Sequence, residues 1–152
     1  MGLAGALLLG LGLLSTSTRA DDSDLGAPVT GADALTKLVT GNTVGGTVDG
    51  YGDTWAEFFC STGRTIYAQG DHLDRGKWWV AHGELCFSYD DTDYQEVMCF
   101  DTYAKPDGRL AFVSRTPDGH RDLVFRSDPP VHGDRFRLNE RTSDGCHANP
   151  SA

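Results

Sequence analysis

Beyond residue 14 the chain has no apolar run that approaches the ~20 residues needed to cross a bilayer as a helix, so no membrane span is expected after that point. Bases are scarce: 13 Lys and Arg stand against 22 Asp and Glu, a net charge of −9. An acidic surface repels phosphate backbones and anionic lipids, which argues against nucleic acid as a partner. The acids are scattered rather than blocked and read as a solvated surface. No phosphate-cradling Gly-rich loop occurs, and Gly45-Gly46 does not substitute for one. The Gly-x-Ser-x-Gly nucleophile turn is missing too. No Cys-x-x-Cys occurs, which leaves redox and structural-zinc readings weak. His72, His82, His120, His132 and His147 show no ligand spacing on one element, and read as turn or surface residues. Asp90-Asp91-Thr92-Asp93 with Glu96 lacks the Gly and the terminal Glu of an EF-hand loop, and reads as an acidic hairpin tip rather than a calcium site. These absences call for no cofactor and no metal, and they leave an enzyme reading without a catalytic constellation. There is no internal repeat and no low-complexity tract.

What is present begins with Leu3 to Leu14, an almost unbroken apolar run followed by Ser15–Thr18 and then Arg19-Ala20. The pattern predicts a signal peptide over residues 1–20, cut after Ala20, although no Lys or Arg precedes the run. A retained N-terminal anchor is the alternative. Removal of residues 1–20 takes one base and no acid, so the mature chain is one unit more acidic. Four cysteines, Cys60, Cys86, Cys99 and Cys146, read as two disulfides in an exported chain. The expected location is periplasmic or secreted.

Asp21 to Val29 is polar with Gly and Pro and reads as a flexible leader, residues 21–29. Thr30-Gly-Ala-Asp33 resembles a capping box, and Ala34, Leu35, Leu38 and Val39 recur at helical spacing before Gly41. One short helix is expected over 31–40. After Asn42, β-branched and aromatic runs alternate with Gly, Asp and Pro turns. Expected strands are 43–49, 54–60, 64–70, 76–82, 84–90, 95–103, 109–115 and 120–126. Turns this short force antiparallel neighbours. The fold class is therefore all-β with one N-terminal helix, an up-and-down barrel or a sandwich of about eight strands. A barrel has the attraction that closure removes exposed edges. Helix and strands fill 30–126, and 127–152 reads as a polar C-terminal tail in which 134–138 is a candidate edge strand.

One hairpin provides an internal check. If Cys86 faces Cys99, then Leu85 faces Phe100, Phe87 faces Met98 and Tyr89 faces Glu96, all on one sheet face. The other face carries the two sulfurs, Ser88 opposite Val97 and Asp90 opposite Gln95. One register thus gathers the large apolar side chains and the thiols on opposite faces, which predicts a Cys86–Cys99 bridge. Cys60–Cys146 follows by elimination.

Several short pieces, in their order and spacing, resemble a group of uncharacterised, exported, calycin-like proteins of alphaproteobacteria. They are Leu35 with Leu38-Val39-Thr40-Gly41-Asn42-Thr43, Phe58 to Arg64, Gly76-Lys77-Trp78-Trp79-Val80, Leu85-Cys86, and Cys99 to Tyr103. The resemblance implies a lipocalin-like β-barrel, an export route and a paired-Cys hairpin at Cys86 and Cys99. It implies no activity, and Cys60 and Cys146 depart from the group's pattern. In a barrel of this size the aromatic stripe either fills the interior or lines a cup for one small ligand. The cup is expected from Trp55, Trp78, Phe87 and Phe100, taking a small apolar or amphipathic ligand. The alternative is a protein-interaction module, such as an inhibitor of an exported protease or an envelope factor, inserting residues 21–29 into a partner.

Overall fold

The computed structural model describes residues 22–90, 97–142 and 145–146. The expected signal peptide, Asp91–Glu96 with the Tyr89–Glu96 and Asp90–Gln95 pairs, and His147 lie outside the described residues. In chain order the elements are β1 (Ala27–Pro28), α1 (Ala32–Val39), β2 (Asn42–Val48), β3 (Thr54–Phe59), β4 (Arg64–Gln69) and β5 (His72–Ala81). They continue as β6 (Glu84–Tyr89), β7 (Met98–Ala104), β8 (Leu110–Arg115), β9 (Arg121–Ser127), β10 (Val131–His132) and a 3-10 turn, η1 (Leu138–Arg141).

Strands β2 to β9 each pair antiparallel with the next, and β9 returns to β2, so the sheet closes into an eight-stranded barrel. This decides between barrel and sandwich. Turn chemistry sets the meander. His82 and Gly83 both have positive φ, the geometry of a two-residue turn matched to strand twist. The Pro-Asp-Gly turns close through Gly108 N–H to Lys105 O and Gly119 N–H to Thr116 O. Closure depends on Gly46, which is flanked by Trp55 on β3 and Ser127 on β9. A Cβ there would collide with the Arg126 carbonyl oxygen. The two short strands fill places left by the stagger of the barrel. β1 pairs with Tyr103–Ala104 beyond the stretch of β7 that pairs β6, and β10 pairs with Asn42–Thr43 beyond the stretch of β2 that pairs β9.

The hairpin register is Leu85↔Phe100, Cys86↔Cys99 and Phe87↔Met98, as the sequence predicts. Cys86–Cys99 and Cys60–Cys146 are both disulfides, and the latter links the start of the β3–β4 turn to the chain beyond η1. Among the described residues no helix is long and apolar enough to cross a membrane.

Four expectations need correction. β5 begins at His72, because the turn after β4 is only Gly70-Asp71; Asp74 and Arg75, taken as turn residues, pair in the ladder with Tyr67 and Ile66. The capping box does not form: α1 starts after Gly31, at positive φ, with no side-chain cap. The edge strand lies at Val131–His132 rather than 134–138, because the Asp134 carboxylate accepts the backbone N–H groups of Leu138 and Asn139 and winds the chain into η1. The expected leader is docked from Asp22 onward, as described next.

Three apolar clusters organise the molecule. The largest fills the barrel and includes Val44, Trp55, Phe59, Leu85, Phe87, Phe100 and Phe112, with Leu38 and Val39 of α1. A second lies outside, where Leu25 covers Tyr103, Ala111, Val113 and Val124. There Asp22 accepts from Arg115, Arg121 and the Tyr103 hydroxyl, and Asp24 accepts from Arg121 and Arg126. Those two guanidinium groups hold the Asp24 carboxyl down at about 2. The third cluster, also outside, seats Leu138 on Ile66 and Ala68, with Phe58, Leu73 and Cys146 around it.

Candidate functional site

The two ends of the barrel differ. α1 contacts β2, β5 and β6 and closes the end bearing the His82-Gly83 turn. At the other end a cavity of about 330 Å³ reaches into the interior. Strand alternation decides its wall. Inward positions on β3 are Trp55, Glu57 and Phe59; on β4, Tyr67 and Gln69; on β6, Phe87 and Tyr89. Met98 and Phe100 of β7, Phe112 of β8 and Phe125 of β9 complete the apolar side, and His72 and Asp74 of β5 stand near the β4–β5 turn. Ring pairs give the wall its shape. Trp55 meets Phe125 edge-on at 5.5 Å, and Phe87 lies parallel to Tyr89 at 6.3 Å.

Of the four residues expected to form a cup, Trp55, Phe87 and Phe100 line this cavity. Trp78 does not. Its indole N–H donates to Cys60 O at 3.1 Å and its ring packs edge-on against Phe59, toward the helix-closed end.

The polar centre of the wall is Glu57, which sequence reasoning missed. It is 4% exposed. Its Oε1 accepts from Thr65 Oγ1 at 2.7 Å and from the Tyr89 hydroxyl at 3.0 Å. Oε2 has no hydrogen-bond partner among the described residues. Burial pushes this carboxyl up to about 7, against the lowering effect of its two hydroxyl donors. Burial and the nearby Glu57 charge push the Tyr67 and Tyr89 hydroxyls up as well, so both keep their protons near neutral pH. The signal was in the alternation. Glu57 stands two residues from Trp55 and two from Phe59, so any strand that turns those rings inward turns the carboxylate inward with them.

At this end, Tyr51 in the β2–β3 turn, Val97 just before β7 and Met98 at its first position are exposed apolar side chains. Among the described residues no three His, Cys, Asp or Glu converge as a metal site. Compared with protein-family models, curated proteins and solved structures, the chain matches none.

Proposed function

We propose that this chain is an exported binding module that holds one small ligand with an apolar body in the open end of its barrel. The observation that carries the reading is the cavity itself. An eight-stranded barrel is just wide enough to be packed solid by side chains, yet here largely aromatic walls line a cavity of about 330 Å³. That volume is near the low end for ligand pockets, about 300–1,000 Å³, so the occupant is small.

Export is part of the proposal. Two disulfides fit an oxidising compartment outside the cytoplasm, periplasmic or secreted. The apolar run before Ala20 supplies the route. The rival reading needs residues 21–29 free to enter a partner's cleft. From Asp22 onward that segment is ion-paired, buried at Leu25 and hydrogen-bonded as β1, which removes the support for it.

The test is intrinsic fluorescence during titration with small aromatic and aliphatic compounds. Trp55 is in the wall and Trp78 is not, so the expected response is a saturable change that Trp55→Phe abolishes and Trp78→Phe preserves. A response that survives Trp55→Phe, or a crystal structure whose interior is filled by side chains, would overturn the reading.

A further inference from the structure

We infer that the ligand is a small organic cation, an amine with an apolar body, whose ammonium group is received by Glu57 inside the aromatic cavity. This rests on the binding-module reading above and narrows it to one chemical class.

The donor and acceptor inventory of the wall carries the inference. The Trp55 indole N–H is given to Thr47 O at 3.3 Å. The Tyr67 hydroxyl donates to Gln69 Oε1, and the Gln69 amide donates to Asp53. The Tyr89 hydroxyl donates to Glu57. Each of these groups thus gives a hydrogen to a protein acceptor, while Glu57 Oε2 is a buried acceptor in the wall with no donor from the described residues. Charge points the same way. The lining contains two carboxylates, Glu57 and Asp74, and neither Lys nor Arg. Its one histidine, His72, is held by Asp74 at 2.7 Å. A carboxylate or phosphate head group would find no fixed cation here and would meet Glu57, once ionised, as a like charge. An ammonium would find a carboxylate oxygen and the faces of aromatic rings, both of which attract it.

The cavity also couples binding to protonation. Thr65 and Tyr67 face Glu57 from β4, His72 and Asp74 line the same cavity on β5, and Tyr89 faces it from β6. Because burial keeps the Glu57 proton on up to about 7, an ammonium must displace that proton to gain its counter-ion. Amine binding at pH 6 therefore releases a proton to the buffer, and affinity strengthens as the pH rises toward 8.

The experiment is calorimetric titration of the full chain with 2-phenylethylamine, 2-phenylethanol and phenylacetate, which share a ring and differ in head group. At pH 8 the amine is expected to bind about tenfold or more tighter than the alcohol, with the carboxylate weakest. Glu57→Gln is expected to remove the preference, bringing the amine down to about the alcohol's affinity. On the unaltered protein, the observed heats at pH 6 in buffers of different ionisation enthalpy are expected to show proton release with the amine and none with the alcohol. If the alcohol binds as well as the amine, or no proton is released, the cation inference fails and the cavity reading stands. If none of the three binds, the cavity reading fails with it.

Discussion

Glu57 is the residue at which folding removes a charge from water, and its effect on stability has a definite sign. An unfolded glutamate titrates near 4.5, whereas the buried one titrates at about 7. Between those values the folded chain keeps a proton that the unfolded chain has released. Stability tied to this group is full below 4.5, falls as the pH rises and levels off above 7. The span corresponds to about 3 kcal/mol. Asp24 acts in the opposite direction and more weakly, because it is half exposed: its contribution is present above the unfolded carboxylate range and is lost on strong acidification. Urea unfolding from pH 4.5 to 8 is expected to show this decline in the parent protein and a nearly flat profile in Glu57→Gln. A profile of equal slope in the two proteins would mean that Glu57 is hydrated. At this scale the sequence was only partly readable. The aromatic stripe picked out Trp55, Phe87 and Phe100, which line the cavity, but the stripe alone did not show that the barrel end near Trp78 is taken up by α1, Phe59 and the Cys60 carbonyl.

Among the elements, β2 bears the heaviest geometric demand, since it pairs on both sides where the barrel closes. Gly46→Ala would push a methyl group into the Arg126 carbonyl of β9, a backbone atom with no rotamer to escape through. A loss of about 1–3 kcal/mol is expected, the usual range for overpacking, with the thermal midpoint lowered accordingly. Gly50→Ala is the control for glycine loss without collision, since nothing stands within 4 Å of its Cβ position; its positive φ brings only local strain. Should both variants unfold at the same temperature, the closure contact would be unimportant. Strand positions were the most legible part of the sequence, because Pro-Asp-Gly, His-Gly and Ser-Thr-Gly turns punctuate alternating runs, and the two thiols fixed one register outright. Charged stretches were less legible. Asp74 and Arg75 read as loop by composition, but both stay in the ladder, where alternation turns Asp74 toward the cavity with Tyr67 and Arg75 to the outer face with Ile66.

At the level of the whole molecule, both terminal segments act as covers. β8 runs Leu110-Ala111-Phe112-Val113 with both faces buried, and β4 buries Ile66 and Ala68 outward opposite inward Tyr67. A strand apolar on both faces needs something on each side of it. That pattern stands in the sequence, yet residues 21–29 and 127–152 read there as a flexible leader and a polar tail. Composition hid it, since each cover contributes one deeply buried leucine among polar residues. Leu25→Ala and Leu138→Ala are each expected to cost about 2–5 kcal/mol, as for a buried leucine elsewhere, although both lie outside the barrel. Denaturant midpoints unchanged by these substitutions would show that the covers are dispensable.

The long-range disulfide has a consequence for assembly. The partner of Cys60 lies 86 residues further along, after every barrel strand, whereas Cys86 and Cys99 are 13 apart on one hairpin. On the export route proposed above, a chain delivered from its N-terminus would present Cys60 to the oxidant with only wrong partners until the last segment arrives. Rapid oxidation during such delivery would trap Cys60 with Cys86 or Cys99, so the native pairing would then require thiol exchange or a hairpin that closes first and takes those two thiols out of competition.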